Sequence, residues 1–110
     1  MPKFRMIMLS RALPGREADY ETWYDGTHIP QLLQVPGIVA AQRFKVTKNV
    51  AGETTHPYCT IYEMEGESPD AVLGAMFGAM QSGKVTMSDT VDPSDAQGFI
   101  VEEVTERVTG

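Results

Sequence analysis

The chain has 110 residues, 42% of them apolar and 22% charged, with a formal net charge of −6; this describes one folded domain over residues 1–110 and excludes a disordered chain. The acidic balance and the scatter of the nine Lys and Arg argue against nucleic acid or membrane as partners, because polyanions recruit basic clusters. Cys59 is the only cysteine, which excludes an internal disulfide and a multi-cysteine zinc site, and with no signal peptide or spanning run a cytoplasmic setting is expected.

Residues Lys3–Ser10 alternate, Phe4, Met6, Met8 and Ser10 against Arg5, Ile7 and Leu9, which predicts a strand covered on both faces. Leu13-Pro14-Gly15 breaks it, and residues 16–28 change to helical spacing. There Ala18, Glu21 and Asp25 follow one stripe, while Tyr20, Trp23, Tyr24 and Thr27 form an aromatic side that predicts packing on a sheet. Gly26 and Pro30 predict a kink or helix end at 26–30, and a helix would make Asp25 and His28 neighbours. After the turn Val35-Pro36-Gly37, residues 38–46 read as a second strand. Ile38, Ala40, Gln42, Phe44 and Val46 are its expected core face; Val39, Ala41, Arg43 and Lys45 suit the wall of a partly polar pocket or a solvent face.

Residues 47–57 form a polar connection longer than a usual hairpin loop, in which His56 is expected to face solvent. Tyr58–Glu65 is a third strand, with Tyr58, Thr60, Tyr62 and Met64 on one face. Ser68-Pro69-Asp70 supplies the capping hydroxyl, first-turn proline and early carboxylate of a helix start; Val72, Leu73, Met76, Phe77 and Met80 then make a core face, up to Gly83. Residues 85–97, with Asp89, Asp92 and Asp95, read as a loop, and 98–108 as a fourth strand. The order β-α-β-β-α-β predicts an α+β, ferredoxin-like fold, a four-stranded antiparallel sheet with two helices on one face. Its other face would expose apolar side chains, so a homodimer is expected.

Chemistry concentrates at the end of the first helix. His28 can take and return a proton near neutral pH, with Asp25 or a backbone carbonyl to fix its tautomer; the alternative is a histidine that only satisfies the helix end. Tyr20 and Tyr24 lie at successive turns and offer phenolic donors to a developing oxyanion, or simply pack, and Trp23 reads as core or as a pocket wall. Arg43 suits a planar anion as a bidentate clamp unless it is solvated, and Tyr58 and Tyr62 line one sheet face as candidate substrate contacts. The histidines and aspartates show no metal-ligand spacing, and no phosphate loop or dinucleotide fingerprint is present, so neither metal nor cofactor is expected. Cys59 reads as a small buried hydrophobe.

The run Trp23-Tyr24-Asp25-Gly26-Thr27-His28-Ile29-Pro30, then Leu32-Leu33, Val35-Pro36-Gly37 and Arg43-Phe44, resembles the EthD-like group of the dimeric α+β barrel superfamily over residues 3–65, and the rest does so in element order. His28 and Pro30 match that group's histidine and trailing proline. The resemblance implies a dimer of face-to-face sheets, with a pocket either between each sheet and its helices or inside the barrel. It also implies a small-molecule substrate, the group containing cofactor-independent isomerases, cyclases and lyases besides haem-linked or cofactorless oxygenases. The expected activity is a cofactor-independent isomerase, cyclase or lyase acting on a small aromatic, lactone or polyketide-like molecule through proton transfer by His28. The alternatives are a non-catalytic ligand-binding or stress-associated dimer, and a cofactorless or haem-dependent monooxygenase.

Overall fold

The first alternating run becomes β1 (Lys3–Ser10) in the computed structural model, which describes residues 2–92 and 95–110. There follow α1 (Glu17–Trp23), a π-helical turn (Tyr24–His28) and α2 (Ile29–Leu32), then β2 (Ile38–Lys45), β3 (Tyr58–Glu65), α3 (Pro69–Gln81) and β4 (Gln97–Glu102). The four strands form one antiparallel sheet in the order β2-β3-β1-β4, the ferredoxin-like arrangement. Of the expected loop at 85–97, Pro93 and Ser94 lie outside the described residues; Val91 pairs with Ala12 just beyond β1. No helix among the described residues is long and apolar enough to cross a membrane.

Both helical runs pack on one sheet face. Leu32 and Val72 join Phe4, Met6, Ile38, Tyr62 and Met64 in the main core, and a second cluster gathers Ala12, Tyr20 and Tyr24. The α3 start is built as the sequence predicts, with the Ser68 hydroxyl accepting the Ala71 N–H at 3.1 Å and Pro69 in the first turn, where no amide partner is needed. The opposite sheet face stays open: Ile7 pairs there with Ile61 and Phe99, and Phe44, Phe99 and Val101 are exposed.

Three expectations fail, each for a physical reason, and one of two alternatives is decided. The kink or helix end expected at 26–30 takes the form of a π-helical turn, through which the helical run continues to Leu32 and where the Ile29 N–H donates to the Tyr24 carbonyl five residues back. Pro30 has no N–H and its ring would press on the Gly26 carbonyl in an ordinary helix, and the wider turn removes that clash.

The expected core face of β2 is wrong beyond Ile38. A β-bulge sets Ile38 opposite Met64 but Ala40 opposite Glu63, so Ala41 and Arg43 face the helices beside Tyr62 and Thr60, and Phe44 moves to the open face. One extra residue exchanges the two faces, which alternation alone cannot reveal. β4 stops at Glu102 and not near 108, because its partner runs out: Phe4, near the start of β1, pairs with Glu102. His56 is buried, 5% exposed, with Nδ1 3.1 Å from the Thr54 hydroxyl and Nε2 3.0 Å from a carboxylate oxygen of Asp95. It ties the long β2–β3 connection to the segment before β4.

Candidate active site at the π-helical turn

All four tyrosines of the chain converge between the first helical run and the sheet. Tyr20 and Tyr24, one turn apart, point at the sheet, while Tyr58 and Tyr62 alternate with Cys59 and Ile61 to face them from β3. The Tyr20 ring stacks on Tyr58 with centroids 5.3 Å apart. The phenol hydroxyls are partnered: Tyr20 with the Ser10 hydroxyl at 2.6 Å, Tyr24 with that of Tyr62 at 3.3 Å. Burial pushes the Tyr20 phenol up to about 12 and Tyr62 well above the usual phenol range, so both remain protonated at any working pH.

Arg43 reaches this cluster from β2. Its guanidinium donates through Nη2 to Glu21 Oε1 at 2.8 Å and through Nη1 to Glu21 Oε2 at 3.0 Å and Asp25 Oδ1 at 2.8 Å. It lies 4.7 Å from the Tyr24 ring centroid, 5.2 Å from that of Tyr58 and 5.5 Å from that of Tyr20, within cation–π range of each. Its charge is thus already committed within the protein. Asp25 is occupied by Arg43, and the helical pairing expected between Asp25 and His28 does not form. Arg43→Met should cost about 1–2 kcal/mol in urea unfolding, since it leaves two like charges one turn apart, both still partly solvated. A loss below a few tenths of a kcal/mol would show that the ion cluster is energetically idle.

His28 stacks on Trp23, ring centroids 4.4 Å apart and planes 23° from parallel, with the edge of Tyr24 at 5.0 Å. In a regular helix, side chains five residues apart point about 140° away from one another. The π-helical turn brings this pair to one side. Two polar atoms of the stack, Trp23 Nε1 and His28 Nδ1, are buried with no hydrogen-bond partner, an arrangement that calls for a ligand or water. Burial pulls the His28 pKa down from 6.5 to about 4, so the imidazole is neutral at physiological pH.

The sign of the linked stability effect follows. Below pH 6.5 the unfolded chain takes a proton on this residue that the folded chain refuses until about pH 4, so stability falls as pH drops through that window. Thermal unfolding should show a melting temperature rising from pH 4 to 6.5, and His28→Gln should flatten part of that rise. An unchanged slope in the variant would mean that His28 is not held neutral.

The sequence names His28, Trp23, Tyr20, Tyr24, Tyr58, Tyr62 and Arg43 as candidates on separate elements, and the structure brings them together. It does not bring Asp25 to His28. Glu21, the main partner of Arg43, is the residue that sequence reasoning overlooks as part of the cluster. The signal was its place on the same helical stripe as Asp25. Nearby, Gly26, Thr27, Pro30, Gln31, Gln34 and Lys84 line an open cavity of about 590 Å³. A more apolar one of about 510 Å³ lies under α3, among Met6, Met8, Leu73, Met76 and Ile100.

No protein-family sequence model matches this chain, and no curated protein sequence matches it significantly. Solved structures do match. An ethyl tert-butyl ether D (EthD) family protein of Bacillus halodurans is 18% identical with a TM-score of 0.64, over 94% of this chain and 100% of that one. A candidate monooxygenase of Shewanella loihica is 12% identical, TM-score 0.63, over 94% and 96% of the respective chains. An EthD-like protein of Ralstonia eutropha is 16% identical, TM-score 0.60, over 97% and 96%. At these identities the likeness speaks for architecture alone, and the chain has the ferredoxin-like α+β fold of EthD-like proteins.

Proposed function

We propose that this chain is a homodimeric, cofactor-independent enzyme of the isomerase, cyclase or lyase type, moving a proton next to a carbonyl of a small aromatic, lactone or polyketide-like molecule. The observation that carries this reading is the unpaired couple on the Trp23–His28 stack, an indole N–H beside an imidazole nitrogen, both buried and both without a partner. An indole nitrogen only donates, so it suits a carbonyl oxygen. With the proton on Nε2, the neighbouring Nδ1 accepts the α-proton of that carbonyl compound. The C–H electron pair becomes the enolate, whose oxygen the Trp23 N–H holds. Returning the proton at another carbon isomerises the substrate; in an elimination the enolate expels the β-leaving group, which takes the proton from the imidazolium and restores neutral His28. Burial disfavours the imidazolium that exists between these steps, which keeps it short-lived, and the stacked indole face offsets part of that cost.

Tyr24 borders the couple at 5.0 Å, and with Tyr20, Tyr58 and Tyr62 forms the apolar, water-poor wall behind it. Dimerisation follows from the open sheet face, where Ile7, Ile61 and Phe99 form a row across three strands and Phe44 and Val101 stay exposed. The experiment is deuterium exchange into a panel of lactones and phenolic ketones, incubated with the protein in heavy water and followed by NMR. Exchange or turnover dependent on His28 supports the reading.

A second reading, a non-catalytic small-ligand carrier, is favoured by the apolar cavity under α3. Thermal shifts without exchange would support it. Oxygen uptake with the same panel would instead support an oxygenase, the class suggested by the Shewanella loihica neighbour.

A further inference from the structure

We infer that this site takes uncharged substrates and turns away carboxylates and phosphates, and that Glu21 and Asp25 set this preference by consuming the charge of Arg43. The inference rests on the proposed reading of Trp23 and His28 as the reacting edge, and it names the substrate class of that site. A strand arginine beside aromatic rings is usually an anion receptor, because its fork matches a planar carboxylate. Here the two terminal nitrogens are filled from within, both oxygens of Glu21 and one of Asp25 accepting from Nη1 and Nη2, which leaves only the buried Nε–H without a partner. The Tyr24 ring neighbours both groups, its centroid 4.7 Å from the guanidinium and 5.0 Å from the His28 ring.

The charge count then runs against an anion, with one guanidinium set against two carboxylates. The hydrogen bonds from Arg43 hold the Glu21 carboxyl below the usual range, so it is ionised wherever the protein is folded at neutral pH. The remaining groups of the cluster, four phenols and an imidazole, add no positive charge. Of the other cations, Lys45 on β2 and Lys84 at the neighbouring cavity are exposed, where water and salt screen them, and Arg16 at the start of α1 is paired with Asp19 and Asp89. An anionic ligand entering beside Trp23 would therefore lose its hydration and meet a net negative cluster.

Benzamide and benzoate test this, since they share shape and differ in charge. Trp23 is the only tryptophan, so its indole N–H gives a single resonance that reports binding at the site. In the wild type, benzamide should move that resonance and benzoate should bind at least about tenfold more weakly, the penalty of a like-charge contact. In Glu21→Gln/Asp25→Asn, whose guanidinium is free, the gap should close or reverse. Glu21→Gln alone, the milder change, should narrow it. Benzoate binding the wild type as well as benzamide does, or a gap unchanged in both variants, would overturn the inference while leaving the site intact. If neither compound moves the indole resonance, the reading of Trp23 and His28 as a binding edge fails, and this inference with it.

Discussion

His28→Ala is expected to lower kcat/KM on any carbonyl substrate of this protein by about 10²–10⁴, the range supplied by a positioned acid–base group. The fold should persist, because His28 is only partly buried, lies outside the main core and holds no protein hydrogen bond through Nδ1. His28→Gln keeps an amide near the same place without a base of suitable strength, and it should be nearly as inactive. The wild-type rate should have its acid limb near pH 4 and not near 6.5, since burial lowers the imidazole to about 4 and the neutral form is the acceptor. Full turnover in either variant would remove His28 from the mechanism. A limb at 6.5 would mean that the ring is solvated during the reaction.

Gly37→Ala should destabilise the fold by about 3 kcal/mol, combining left-handed backbone strain with overpacking. Gly37 has φ +97°, and a Cβ there would lie 2.8 Å from the Glu65 carbonyl oxygen and 2.8 Å from a Val72 methyl. The carbonyl is backbone and cannot rotate away. It is further held because the Glu65 N–H donates to the Gly37 carbonyl at 2.8 Å, joining the start of β2 to the end of β3. For a domain of this size the loss corresponds to a melting temperature lower by about 15 °C. A change under about 1 kcal/mol would show that β2 can shift outward without penalty, contrary to typical packed interiors.

Local features were legible in the sequence, and features that depend on distant partners were not. Strict alternation in Lys3–Ser10 and Tyr58–Glu65 placed β1 and β3 to the residue, and Ser68-Pro69 fixed the start of α3 because capping chemistry acts within one turn. The inward direction of Tyr20, Tyr24, Tyr58 and Tyr62 was legible, since helical spacing and strand alternation both give it, whereas the stacking of His28 on Trp23 depends on the π-helical turn. The bulge after Ile38 was not: it is a property of how two strands align, and it exchanged the positions of Arg43 and Phe44. The burial of His56 likewise depends on Asp95, 39 positions on in the chain and so invisible to local pattern. Pro30 left a kink and a helix end open because proline opposes an α-helix, and the π-helical turn that accommodates it decides for continuation.

The sheet order β2-β3-β1-β4 also governs how the chain emerges during synthesis. The strand translated first lies inside the sheet, and Ser10 must wait for Tyr58, Lys3 for Glu65. At ribosomal speeds that interval is about 2–10 s, in which a methionine-rich strand with both edges bare is outside the tunnel or entering solvent. β3, once made, meets β2 as its hairpin neighbour and β1 as its sheet neighbour, so both pairings become possible at the same moment and the sheet assembles around β3.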